Sequence, residues 1–188
     1  KASRFVYFTN ETHSYQISIL NNTTSGAKPV FAFLHANGNA KVNSWSNTVL
    51  TTSSIYQVIF TFDGTAGGNG YAVYVNGISD SSSTAWIGAV TANNPATRPN
   101  NLFIGVRNDL ASFYQGIISD VRIYNRVISG NEVKALARGS NSVRSGLVAH
   151  FPLYGIGNSE MDLSTNRKTG IKVQNPSRGS FNPPLTRY

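Results

Sequence analysis

A chain of 188 residues is the size of one large all-β domain. Its hydrophobic share of 40% can fill a sizeable core, while only 13% of residues are charged, about half the usual fraction. The absence of cysteine excludes disulfides and thiolate metal sites, and no apolar stretch approaches the roughly 20 residues of a membrane-spanning helix.

The net charge of +8 comes from 16 basic against 8 acidic residues. It favours anionic partners in general. The basic residues are scattered, however, with no run beyond Arg167-Lys168. The charge therefore reads as a solubility and docking property rather than a nucleic-acid site. The chain begins at Lys1 without a signal peptide, as a processed form or a fragment would.

In chain order, short apolar runs rich in β-branched and aromatic residues predict strands at Arg4–Thr9, Tyr15–Leu20, Pro29–His35, Ile55–Phe62, Tyr71–Asn76 and Asn101–Val106. Two more follow at Phe113–Tyr124, bent or split, and at Leu147–Phe151. Between them lie turn formers: 21–26, Asn37-Gly38-Asn39, Asp63-Gly64, Asn76-Gly77 and the serine-rich 79–83. In Tyr71–Asn76 both alternating faces carry apolar groups, as in a central strand covered on both sides. One helix interrupts the strands. Ser129 with Glu132 forms a capping box, Val133, Leu136 and Ala137 make one stripe, and Arg138 and Gly139 end it. Its expected place is across an open end of a sandwich. The domain is expected to span 1–157, with a strand at 146–153 as the candidate for closing it and 158–188 as an extended, Pro-containing tail.

Four segments carry a resemblance. They are Tyr56–Gly64, Gly70–Gly77 with its Tyr-Val-Asn-Gly, Asn101–Val106, and Phe113–Arg126 ending in Asp-Val-Arg-Ile-Tyr-Asn. In this order they resemble a laminin-G-like, concanavalin A-like domain over roughly residues 50–140. The resemblance implies an antiparallel jelly-roll β-sandwich with one short helix. Gly146–Leu153 and Asp162–Gly170 are similar to the opening segment of the same family, although they come last here. Tails of this kind resemble those of bacterial and phage proteins.

Relatives of this kind include lectins that bind sugars on aromatic rings, which makes Trp45, Trp86, Tyr114 and Tyr154 the candidate ligand-binding residues; Trp86 follows a polar, serine-rich loop and Trp45 sits among Asn and Ser, so both tryptophans are expected to be partly exposed. They also include calcium binders that use rim aspartates, for which Asp63, Asp80 and Asp109 are the candidates. Glycoside hydrolysis needs paired carboxylates. Only Glu160 and Asp162 have alternate spacing, and they sit in the irregular tail. His13, His35 and His150 are isolated, so no serine triad is expected. Asp120 and Arg122 are expected to pair as a structural ion pair. The reading is a non-catalytic module for glycan or protein at an extracellular or virion surface. The alternative is a structural virion component whose partner is a capsid or further copies of itself.

Overall fold

The computed structural model describes residues 2–9, 14–22, 26–34, 41–51, 54–63, 70–87, 101–106, 113–114, 116–153 and 158–172. They belong to two compact units, residues 1–114 with 126–143 and residues 115–125 with 144–188. Among the described residues, the regular elements apart from one helix are strands paired antiparallel.

In the first unit, β1 (Ala2–Thr9), β2 (Ser14–Asn22), β3 (Gly26–Leu34), β4 (Lys41–Ser46), β8 (Ser81–Ile87) and β9 (Asn101–Ile104) form a six-stranded sheet in the order β8-β4-β3-β2-β1-β9. A smaller sheet holds β5 (Val58–Phe62), β6 (Tyr71–Val75) and β7 (Ile78–Ser79). β4 and β8 each approach β6. Tyr71, Val73 and Val75 of β6 are buried, while Ala72 and Tyr74 between them are half-buried. Phe62 and Tyr71, opposite in register, stack with ring centroids 4.2 Å apart.

The β6–β7 reversal is made by Asn76 (φ +51) and Gly77 (φ +80), the two left-handed residues a tight hairpin demands. Asn76 also exchanges bonds with Gln57: its amide donates to the Gln57 carbonyl, and its side-chain oxygen accepts from the Gln57 amide, both at 2.9 Å. Helix α1 (Gly130–Ala137) packs directly on this turn. A Cβ on Gly77 would lie 2.8 Å from the Ala137 Cβ. The capping box is complete. Ser129 accepts from the Glu132 amide, and the Glu132 carboxylate accepts from the Ser129 amide at 2.7 Å. Arg126 grips the same carboxylate through two nitrogens, and this fork, followed by the Ser129 amide, holds the Glu132 carboxyl at about 2.

In the second unit, β10 (Val121–Tyr124) pairs with β11 (Leu147–Phe151), and β12 (Ser159–Met161) with β13 (Thr169–Ile171). The amide of Leu163 donates to the carbonyl of His150 at 2.8 Å and so ties the β12 end to β11. Residues 158–172 are thus part of a folded unit where an extended tail was expected. The reason is Asp162, which is 1% exposed. Its carboxylate accepts from the amides of His150 and Ser164 at 2.8 Å, from the Ser164 hydroxyl at 2.8 Å and from the Lys168 amide at 3.2 Å. Burial alone would raise this carboxyl, but the donors together hold it below the usual carboxylate range.

Alternation in this hairpin runs opposite to the common pattern. Glu160, Asp162 and Ser164 are buried while Met161, Leu163 and Ile171 are exposed. Buried polar groups are tolerable where they are hydrogen-bonded, and the Asp162 bonds fix which way the strand faces.

Candidate polar-face site on the six-stranded sheet

Residues opposite one another in an antiparallel pair share a face, and neighbours along a strand alternate. The register therefore sorts the six-stranded sheet into two faces. One collects Val6 and Phe8 of β1, Tyr15, Ile17 and Ile19 of β2, and Phe31 and Phe33 of β3. Across the sheet it continues with Val42, Trp86, Leu102 and Ile104. The other collects Arg4, Tyr7 and Thr9, then Ser14, Gln16, Ser18 and Leu20, then Lys28, Val30, Ala32 and Leu34, and finally Lys41, Asn43 and Trp45 of β4 with Ser83, Ala85 and Ile87 of β8 and Asn101 and Phe103 of β9. The first is predominantly apolar, with Ser3, Ser44 and Thr84 among its positions. The second is the more polar of the two and mixes amides, hydroxyls and cations with Trp45, Leu20, Leu34, Ile87 and Phe103. A slip of one residue would exchange the two, so the hydrophobic pattern itself enforces this register. Phe5, the extra residue where β1 shifts against β2 between Arg4 and Val6, keeps both halves of β1 in phase with the sheet.

Both tryptophans lie within strands. Trp45 is in β4 opposite Val30 and Ser83. Trp86 is in β8 opposite Val42. They occupy opposite faces and do not form one site. Trp45 belongs to the polar face, in the cross-strand row Arg4, Ser18, Val30, Trp45, Ser83. The serine-rich stretch read as a turn is the start of β8. Serine and threonine carried no apolar signal there because the tryptophan comes late in the strand.

Tyr114 is half-buried, and its amide donates to the Gly105 carbonyl at 2.7 Å beside the Val106–Phe113 bridge. Burial pushes its phenol up. Tyr154 and Asp109 lie outside the described residues.

Asp63 is exposed, and its amide closes the following loop by donating to the Gly70 carbonyl at 3.0 Å. Asp80 is a corner post. Its amide donates to the Val73 carbonyl at 2.8 Å and its carbonyl accepts from the Asn47 amide at 2.9 Å. Its carboxylate accepts from the Thr48 amide at 3.0 Å and from the hydroxyl of the fully buried Ser46. Burial raises the Asp80 carboxyl, and the hydrogen bonds from Ser46, Thr48 and Asn47 outweigh it, leaving it below the usual range. Among the described residues no three His, Asp or Glu side chains gather to hold a metal ion.

A third polar cluster lies in the second unit. Asp120, in the left-handed region at φ +53, receives Arg122 through Nε at 2.8 Å and through a terminal nitrogen at 2.9 Å. It also meets His150 Nε2 at 2.8 Å. The Asp120–Arg122 pair expected from the sequence is present. His150 joins it because Arg122 and His150 are opposite in register, a pairing no local pattern reveals.

A laminin-G-like family model, described as the concanavalin A-like lectin/glucanases superfamily, matches residues 1–134. No curated protein and no solved structure matches the chain.

Proposed function

The chain belongs to the concanavalin A-like lectin/glucanase superfamily, and on that premise we propose that it is a non-catalytic recognition module that binds glycan on the polar face of its six-stranded sheet. Its place is an extracellular or virion surface. The observation that carries the reading is the sorting of the sheet: Trp45 sits at a polar-face position flanked by Asn43 along its strand and Ser83 across from it. An aromatic ring beside neutral hydrogen-bonding groups matches a sugar, which offers a C–H face for stacking and hydroxyls for hydrogen bonding.

The disposition of the carboxylates supports binding over hydrolysis. Asp80, Asp120, Glu132 and Asp162 each serve as acceptors for donors that build corners, an ion pair, a helix cap and a hairpin. Glu160 and Asp162 retain the alternate spacing a glycosidase would use. Asp162, however, has both oxygens occupied by donors from His150 of β11 and from Ser164 and Lys168 of its own turn.

The test is a glycan array read together with stability. Trp45→Ala is expected to abolish binding in a protein whose retained fold is checked by circular dichroism. Trp86→Ala is expected to destabilise the fold by roughly 3–5 kcal/mol, the cost of removing an aromatic from an apolar face. Binding that survives Trp45→Ala would remove the site. Cleavage of any polysaccharide that is lost in Glu160→Gln would replace recognition with hydrolysis.

A further inference from the structure

We infer that the outer face of the β12–β13 hairpin docks on an anionic lipid surface, inserting aliphatic side chains while basic residues of its reversal meet the headgroups. The hairpin lies beyond residues 1–134, the stretch the family model matches, and its docking is independent of glycan binding on the large sheet. The inverted alternation of the hairpin is the starting point. Met161 keeps 65% of its surface in water, Leu163 42% and Ile171 81%, while Glu160, Asp162 and Ser164 are buried. Met161 is opposite Thr169 and Ile171 is opposite Ser159, so Met161 and Ile171 are diagonal neighbours at about 7–8 Å on one face. Leu163 follows Met161 by two positions, about 7 Å further along the chain. A cluster of exposed aliphatic side chains gains free energy by leaving water, which marks a contact surface.

Charge is sorted in the opposite sense. Arg167 and Lys168, in the reversal between the two strands, are exposed. Residues 115–125 and 144–188 contain seven basic residues and three acidic ones. Of those three, Glu160 and Asp162 are buried, and Asp120 is engaged by Arg122 and His150. The outer face thus joins aliphatic side chains to cations and carries no carboxylate. Such a surface complements a layer whose apolar interior lies just beneath anionic groups. A protein partner fits less well. Strands of three residues are about 10 Å long, so the face alone falls far short of the roughly 800 Å² per partner of a stable protein interface. It also lacks the aromatic anchors such interfaces favour. A bilayer sets no minimum area, because each inserted side chain and each cation adds its own contribution. A second copy would bring cations of the same sign to the contact.

The test uses the 188-residue protein in sedimentation with vesicles of phosphatidylcholine alone or with phosphatidylserine added. The anionic vesicles are expected to bind at least about tenfold more tightly, with affinity falling as salt is raised from about 50 to 500 mM. Met161→Ser combined with Ile171→Ser leaves every charge in place and is expected to weaken that binding at least about tenfold. Arg167→Gln and Lys168→Gln are each expected to weaken it about fivefold, whereas Lys134→Gln, at an exposed position of α1, should change it less than about twofold. The chain has no cysteine, so Met161→Cys supplies a single thiol for an environment-sensitive dye, whose emission should shift to the blue on anionic vesicles. Failure to bind anionic vesicles would overturn the proposal. Undiminished binding by the double variant, its fold verified by circular dichroism, would also overturn it, because attraction by the net charge of +8 would then suffice. Self-association of the parent protein without lipid, lost in the double variant, would give the face to a second copy instead. Retention on polyglutamate as strong as on the vesicles would give it to an acidic protein. None of these outcomes decides whether Trp45 binds glycan.

Discussion

Asp162 illustrates how one side chain can organise a segment with little apolar material of its own. Its two oxygens take up four donors, three of them backbone amides of residues 150, 164 and 168. Asp162→Ala strands those donors in a buried place, and each unsatisfied buried group is costly. The expected loss is roughly 2–4 kcal/mol, read as faster amide exchange at His150, Ser164 and Lys168. An alanine variant with unchanged exchange would show that the hairpin is held by something else. Glu132 acts in the same way at smaller scale, joining Arg126 to the start of α1. Ser129→Ala removes one half of that cap, at an expected cost of about 1 kcal/mol.

At the level of elements, the β6–β7 turn and α1 depend on each other. Gly77 is the position where a left-handed backbone and a close approach coincide, with Ala137 only 2.8 Å from where a Cβ would sit. Gly77→Ala meets strain and overlap together, so a loss of about 1–3 kcal/mol is expected in a thermal or denaturant melt. Ala137→Gly in the same protein relieves the overlap but not the backbone strain, and is expected to restore only part of the loss.

Elements with strong local signals were legible in the sequence. Leu147–Phe151 and the Ser129 cap appear as read, and Tyr71–Val75 differs from the reading by one residue. β4 and β8 escaped, because Lys41–Ser46 and Ser81–Ile87 are dominated by Asn, Ser and Thr, which mark turns as readily as the polar side of a strand. The segment before residue 50 held no sharp motif, yet it supplies four of the six strands of the large sheet. The polar face was therefore hidden, since it exists only once the register of β1–β4 is known. The candidate tryptophans were named without their faces, for the same reason.

Across the described residues, carboxylates hold corners and caps, and Asp80 reaches the end of β4 through the Ser46 hydroxyl. No strand of the six-stranded sheet contains Asp or Glu, while Asp80, Glu132 and Asp162, all with carboxyls held low, secure the corner, the helix and the second unit. A carboxyl depressed in the folded state binds its proton more readily once unfolded, so its stabilisation is intact above the ordinary carboxylate range and fades as pH falls through the folded value. For Glu132 the window runs from its usual 4.5 down to about 2. Acidification is therefore expected to open α1 and the β12–β13 hairpin before the six-stranded sheet, an order that hydrogen exchange at successive pH values would reveal. Simultaneous opening of all three would contradict it.

The placement of the only two tryptophans on opposite faces of one sheet has a practical consequence. The protein contains two separable optical reporters. With Trp86→Phe, the remaining indole emission comes from the polar face and should shift when a saccharide is added. With Trp45→Phe, it comes from the apolar face and should stay silent to saccharide, moving to the red only as the chain unfolds. One pair of single-tryptophan proteins thus measures occupancy and folding independently.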